Sequence, residues 1–139
     1  MKLYYIVLFL ALFGYSFAIN AQEQRIISDP TNLLLDDTVS IELEYLLWGC
    51  DCPNWVSLTD KLIAQNDSAV KLIDKCIYIR PAKPQQVSPD STFNFQLEKI
   101  IVKGSFYAKE DYPPGTVSQE EPMKKAKIFE FFEIKIISK

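Results

Sequence analysis

The sequence predicts a mostly β protein, a small antiparallel barrel with one short helix; a two-sheet β-sandwich is the alternative. In residues 38–48 every second side chain is apolar: Val39, Ile41, Leu43, Tyr45 and Leu47. This period of two is typical of a half-buried strand. Turn residues separate the other strand-like segments, which are 75–80, 93–97, 99–109 and 125–139. Closing the strands into a barrel removes exposed sheet edges, which favours the barrel.

The first 21 residues have the pattern of a secretory signal peptide. Lys2 gives a positively charged start, residues 3–13 are continuously apolar, and small residues follow up to Ala21. We expect cleavage after Ala21, with a cut after Ala18 as the second choice. An uncleaved anchor is the alternative, because residues 3–19 reach the lower limit for spanning a bilayer. The prediction is a periplasmic or secreted protein that has no membrane contact after signal cleavage.

The remainder of the chain has the length of a single domain. Residues 22–37 contain turn signals and predict an extended lead-in, and residues 38–139 predict one β-barrel domain. The one weak helical pattern lies within 57–74 and is interrupted at 66–68 by polar residues. Three prolines within 81–92 predict a loop rather than a central strand.

Two features predict that the strands bend. Gly104 lies inside the segment 99–109, and a glycine within a strand indicates a bulge or a sharp bend. The last segment, 125–139, carries apolar residues on both faces. This distribution fits a long, strongly bent strand whose two ends cover different surfaces.

A family resemblance rests on VKGSFYAK, on YPPG and on the final KAKIFEFFEIKII. These runs resemble small exported β-barrel proteins of the oligonucleotide/oligosaccharide-binding (OB) type. The stretch WGCDCPNW followed by KCIYIRPA is similar to small exported bacterial proteins. The resemblance extends from about residue 38 to the C-terminus and implies an OB-like fold, without an activity, because no active-site motif comes with it.

Cys50, Cys52 and Cys76 are the three cysteines of the chain, and oxidation is the default for an exported protein. We expect Cys50 and Cys52 not to bond each other, because cysteines separated by one residue close a very tight ring. The prediction is a disulfide from one of them to Cys76, which leaves one free thiol. This disulfide would close a loop of about 25 residues, and the chain-entropy model gives it a stabilisation of about 3 kcal/mol.

Two alternatives to this disulfide remain open: three inert reduced thiols, or a metal site. Three thiolates, with a carboxylate from Asp51, would suit copper(I) or zinc. Zinc sites usually have two-residue spacers and four ligands, and this chain has no histidine. The Cys-x-x-Cys spacing of thioredoxin-like redox catalysis is also absent from the sequence.

The composition argues against an enzyme and against a nucleic-acid-binding protein. Without histidine, neither a Ser-His-Asp nor a Cys-His catalytic pair can form. Glu42 and Glu44 share one strand face, about 7 Å apart by strand rise, but acids that alternate with apolar residues are typical of a solvated face. We therefore predict no catalytic residue. The net charge is −3 and no basic run is present, whereas nucleic-acid binding depends on neutralising phosphates.

Aromatic residues are the remaining candidates for a binding site. Trp48 and Trp55 flank the two cysteines, and Tyr107 and Tyr112 lie near the YPPG turn. On a barrel rim such side chains can stack on a sugar or dock on a protein, although capping the barrel ends would also explain them. The functional hypothesis is an exported, non-enzymatic binding module without a cofactor, whose partner is a protein or a glycan; the alternative is a copper- or zinc-binding thiolate protein.

Overall fold

The computed structural model describes residues 25–48, 50, 52–84, 93–118 and 123–139. The predicted signal peptide and its cleavage site lie outside the described residues, so that they stay predictions. Among the helices of the described ranges, none has the length and apolar character needed to cross a bilayer.

Five strands form one curled sheet in the order β2-β1-β4-β5-β3. The strands are β1 (Val39–Tyr45), β2 (Trp55–Ser57), β3 (Tyr78–Pro81), β4 (Glu98–Phe106) and β5 (Ile128–Ser138). The two edges of the sheet approach each other at a bridge between Trp55 and Ile77, where the Ile77 N–H donates to the Trp55 carbonyl at 2.7 Å. The sheet is thus a half-barrel, and the predicted mostly β, barrel-like fold with one short helix is confirmed.

The pairing of β3 with β5 departs from the predicted all-antiparallel arrangement. These two strands run parallel, with Tyr78 opposite Ile128 and Pro81 opposite Phe131, whereas the other named pairs are antiparallel. Pro81 belongs to the end of β3 and not to a loop. β3 forms an edge of the sheet, which is where a strand tolerates a proline.

The single α-helix, α1 (Leu58–Asn66), follows β2 directly. Ser57 caps it: the Ser57 hydroxyl accepts a hydrogen bond from the backbone N–H of Asp60 at 3.1 Å. A short 3₁₀ helix, Leu72–Lys75, precedes β3 and shortens the strand predicted at 75–80. The strand predicted at 93–97 is instead a turn, in which the Asn94 carbonyl accepts from the N–H groups of Leu97 and Glu98.

Two apolar clusters lie on opposite sides of the sheet. The larger one fills the half-barrel and consists of Leu43, Trp55, Ile77, Ile100, Val102, Phe129 and Phe131. The smaller one joins Tyr78, Ala126 and Ile128 beneath Tyr107 and Met123. Neighbouring residues of β5 thus pack into different clusters, which explains why the sequence of this strand is apolar on both faces.

The bulge predicted at Gly104 is confirmed. The register of β4 against β5 slips between Lys103 and Gly104, so that Phe132 is an extra residue on β5. Before the slip Phe129 and Phe131 face the larger cluster, and after it Ile134 packs there. A Cβ atom on Gly104 would overlap the carbonyl oxygen of Glu130. Only glycine therefore allows the two strands to approach this closely.

Replacing Gly104 with alanine should destabilise the fold, because the added methyl group meets backbone atoms of β5 that have no room to move. We expect a loss of at least about 2 kcal/mol in the free energy of unfolding, measured by urea denaturation. Gly115→Ala is the control: its Cβ meets no atom within 4 Å, but its φ of +85° is left-handed, which costs about 1–2 kcal/mol. Equal stability of Gly104→Ala and the wild type would contradict the close approach.

The lead-in is hydrogen-bonded to residues 106–118. The Leu35 N–H donates to the Phe106 carbonyl, and the Ala108 N–H donates to the Leu33 carbonyl, each at 2.8 Å. Further along, isolated bridges pair Ile26 with Val117 and Leu34 with Tyr107. From residue 25 onward the lead-in therefore pairs along one margin of the sheet.

The buried carboxylate of Asp111 stabilises the contact between the lead-in and residues 106–118; Asp111 is 2% exposed. One of its oxygens accepts the backbone N–H of Asp29 in the lead-in, and the other lies 2.8 Å from Nζ of Lys125. Burial alone would raise the pKa of this carboxyl, but the hydrogen bonds from Lys125 and from the backbone of Asp29 and Tyr112 hold the pKa below its ordinary value. The charged form is therefore the one that stabilises the fold.

The stability that Asp111 provides should be lost in acid. A carboxyl whose pKa is lower in the folded than in the unfolded chain stabilises fully above the unfolded value, about 4, and progressively less as the pH falls below it. Urea denaturation of wild type and Asp111→Asn should differ by about 1–3 kcal/mol at pH 7. This difference in the free energy of unfolding should become smaller as the pH falls toward 3. A gap that does not change with pH would contradict this role.

Candidate functional site

The stretch WGCDCPNW, residues 48–55, connects β1 to β2, and we call it the cysteine loop. Tyr45 pairs with Trp55 across its base, and the Leu46 N–H donates to the Asn54 carbonyl at 2.7 Å. Nε1 of Trp48 donates to the carbonyl of Pro53 at 3.1 Å. The described part of the loop is therefore held by its own hydrogen bonds.

The structure corrects the predicted disulfide. Cys50 and Cys52 are bonded to each other, with their Cα atoms 5.3 Å apart, and Cys76 is a buried free cysteine. The expectation that these two neighbours would not pair was wrong, because their Cα separation falls within the usual span of a disulfide. Cys76 lies at the end of the 3₁₀ helix, where its thiol donates to the Leu72 carbonyl at 3.3 Å.

The disulfide also removes the basis of the predicted three-thiolate site. Two of the three sulfur atoms are bonded to each other and cannot act as thiolate ligands in this state. Within the described ranges, no three Cys, Asp or Glu side chains gather into a group that could hold a metal ion. Asp51, the carboxylate suggested for that site, lies outside the described residues.

Cys76 lines a cleft of about 450 Å³ that we call the lysine cleft. Apolar side chains of the half-barrel line part of it, and its charged lining residues are Asp60, Asp74, Lys75, Glu110, Lys124, Lys125 and Lys127. Lys124 pairs with Asp74, and Lys125 pairs with Asp111. Because these cations already have acidic partners, the lysine cleft offers little net charge to an anionic ligand.

Burial raises the pKa of the Cys76 thiol to about 11, and the nearby Trp48 offsets only part of this shift. The thiolate is the nucleophilic form of cysteine. A thiol with this pKa, at 2% exposure, is therefore unreactive at neutral pH.

We predict that the folded, oxidised protein contains one thiol per chain and that iodoacetamide does not modify it at pH 7. In denaturant the same reagent should label Cys76 completely, and peptide mass spectrometry should find Cys50 and Cys52 linked to each other. Labelling of the folded protein should rise only as the pH approaches 11. Rapid native labelling at pH 7, or a peptide that links Cys76 to the cysteine loop, would contradict this assignment.

A second cleft, of about 550 Å³, lies beside the disulfide, and we call it the disulfide cleft. Its walls come from three places: the cysteine loop with Tyr45, the start of β3, and the turn at 115–117. The lining residues are Tyr45, Cys50, Cys52, Asn54, Trp55, Tyr78, Ile79, Gly115, Thr116, Val117 and Met123. The site therefore combines aromatic rings with a disulfide that reaches the surface.

Tyr45 also belongs to a cluster of four aromatic rings. Its ring centroid lies 5.1 Å from Trp55, 6.4 Å from Phe93 and 6.1 Å from Phe95. The contacts with Trp55 and Phe93 are edge-to-face, a geometry that aromatic pairs prefer, and the contact with Phe95 is tilted. A smaller hollow of about 240 Å³ is lined by Tyr45, Leu47, Phe93 and Phe95. We give the name cysteine rim to the described residues of 45–55, which leave out positions 49 and 51, together with Phe93 and Phe95.

The structure brings together only part of the predicted aromatic site. Trp55 lines the disulfide cleft but is 1% exposed, which matches the capping interpretation. Trp48 is half-buried. Tyr107 lies elsewhere, with its hydroxyl donating to Glu130 at 2.8 Å, and Tyr112 lies under the amino group of Lys125. Neither tyrosine lines the clefts at the cysteine rim that the described residues form.

The sequence reasoning missed Phe93, Phe95 and Leu47 as site residues. The alternation of Phe93 and Phe95 was interpreted as a strand, whereas the turn that follows directs these rings toward Tyr45 and Trp55. Leu47 continued the apolar face of β1, yet it lies beyond the end of that strand and is 69% exposed. The sequence carries no signal for this, because the alternation continues through Leu47 without a break.

The two acids of β1 have structural partners. Oε1 of Glu42 lies 2.9 Å from Nζ of Lys99, and Glu44 pairs with Lys61 of α1. The hydrogen bond from Lys61 holds the pKa of Glu44 below its ordinary value. Both carboxylates are therefore engaged in ion pairs that tie β1 to β4 and to α1.

Comparisons of the chain with protein-family models, with curated proteins and with solved structures found no significant match. The OB-like resemblance therefore stays a prediction, and function has to be inferred from the geometry of the cysteine rim.

Proposed function

We propose that this protein is an exported, non-enzymatic binding module that contacts a partner protein through the cysteine rim. The observation that carries the proposal is Leu47, which is 69% exposed beside a hollow lined by Tyr45, Phe93 and Phe95. Aromatic side chains are enriched at the centre of protein–protein contacts, and Tyr45, Phe93 and Phe95 lie here beside an exposed apolar side chain.

A protein partner is favoured over a glycan by the state of the two tryptophans. Stacking on a sugar requires an open ring face, but Trp55 is 1% exposed and its ring packs against Tyr45 and Phe93. The polar edge of Trp48 is engaged by the Pro53 carbonyl. The exposed large apolar side chain beside these rings is the aliphatic Leu47.

Export is supported by two independent features. The N-terminal sequence has the order of charged, apolar and small residues of a signal peptide. The Cys50–Cys52 disulfide suits an oxidising compartment such as the periplasm or the extracellular space. The OB-type resemblance adds a precedent for binding through barrel loops. The thiolate metal alternative would require this disulfide to be reduced first, and no observation favours it.

Leu47→Asp should weaken partner binding without unfolding the protein, because the aspartate places a charge where the partner contributes apolar surface. The tagged mature protein is used to capture partners from the exported fraction of its source cells, and the captured protein is then purified. Its affinity for the wild type and for the variant is measured by calorimetry. We expect the dissociation constant to rise at least tenfold, about 1.4 kcal/mol.

Leu33→Asp is the matched control, since Leu33 is 71% exposed but belongs to the lead-in. It should leave the affinity unchanged. Equal weakening by both variants, or by neither, would contradict a site at the cysteine rim. A parallel screen of purified protein against soluble polysaccharides tests the glycan alternative, and binding there that Leu47→Asp removes would replace the protein partner with a sugar.

A further inference from the structure

The Cys50–Cys52 disulfide contributes little to holding the fold together. It closes the shortest ring of any cysteine pair in this chain, with a sequence separation of two. The stabilisation that a disulfide gives by restricting the unfolded chain grows with the length of the closed loop. The base of the cysteine loop is already fixed by the pairing of Tyr45 with Trp55 and by the Leu46–Asn54 hydrogen bond. A structural role therefore does not account for this bond.

The same bond is accessible to a reactant. Cys50 is exposed and Cys52 is half-buried. Both line the disulfide cleft, an open hollow of about 550 Å³ on the surface. An incoming thiolate must approach a disulfide sulfur directly, so access is one of the factors that set the rate of exchange. The exposed partner, Cys50, is the sulfur that an incoming group reaches first.

We propose that the Cys50–Cys52 disulfide is a redox-active centre that exchanges with a dithiol in a polypeptide bound along the disulfide cleft. This activity goes beyond binding at the cysteine rim and does not require the partner inferred above.

The exchange takes two balanced steps. A thiolate of the dithiol attacks Sγ of Cys50, a mixed disulfide forms, and the bond to Cys52 breaks with the electron pair leaving on Sγ of Cys52. The second thiolate then attacks the incoming sulfur of the mixed disulfide and displaces Cys50. The polypeptide dithiol loses two electrons and becomes a disulfide. Cys50 and Cys52 gain those electrons and take up the two protons that the dithiol released.

Cys76 takes no part in this exchange. It lines the lysine cleft and not the disulfide cleft, and it is 2% exposed. Its raised pKa keeps it in the thiol form at neutral pH. Cys76→Ser is therefore the control variant, because it removes a cysteine that is not part of the Cys50–Cys52 disulfide.

The first test equilibrates the full oxidised protein with mixtures of reduced and oxidised glutathione, followed by acid quenching, alkylation and mass spectrometry. We expect Cys50 and Cys52 to open together in the folded protein, with an unchanged far-ultraviolet circular dichroism spectrum and with Cys76 unlabelled. A disulfide that opens only after denaturant has unfolded the chain would overturn the proposal. Because this test uses the wild type, it does not depend on any variant folding.

The second test follows oxidation of a synthetic peptide that contains two cysteines. Wild type and Cys76→Ser should oxidise one equivalent of the peptide, whereas Cys50→Ser and Cys52→Ser should both lose this oxidation. With oxidised glutathione, Cys52→Ser should form a mixed disulfide at Cys50 faster than Cys50→Ser forms one at Cys52. Peptide oxidation that survives in both serine variants, or that disappears in Cys76→Ser, would overturn the proposal.

Discussion

The close approach of β4 to β5 at Gly104 is the constraint on which the rest of the fold depends. The missing side chain lets the backbone of β4 lie against the carbonyl of Glu130, and the extra residue Phe132 shifts the register there. The shift changes which side chains of β5 point into the half-barrel. Phe129 and Phe131 fill it from one end and Ile134 fills it from the other, while Ile128 is left for the second cluster. A strand without this bulge would bury only one of these sets.

The curvature that follows from the bulge also positions the cysteine rim. Bending brings the two sheet edges together at Trp55 and Ile77, and Trp55 anchors the end of the cysteine loop. The rings of Tyr45 and Phe93 then pack against the same indole, and the ring of Phe95 packs against Tyr45. The disulfide, the exposed Leu47 and both neighbouring clefts are thus placed by packing inside the half-barrel, so that core stability and site geometry are linked.

The sequence predicted those features that depend on local pattern. Alternation located β1, and the isolated glycine located the bulge, because each reflects a requirement of its own strand. The three-residue strand β2 was missed, since so short a segment has no periodicity to detect. The parallel pairing of β3 with β5 and the position of Cys76 depend on contacts between distant segments. Ring size alone argued against the Cys50–Cys52 bond, but the backbone geometry that allows it is not encoded in a spacing rule.

The position of β5 within the sheet has a consequence for how the chain folds. β5 comes last in chain order among the described strands, yet it lies between β4 and β3 and supplies two phenylalanines of the larger cluster. Until β5 docks, β4 lacks one neighbour, β3 lacks its parallel partner, and the half-barrel is unfilled. Most contacts of the described residues thus join segments that are distant in sequence, which slows folding. Earlier segments emerging from a ribosome or a translocation pore would stay unstructured, a property well matched to export machinery that threads unfolded chains.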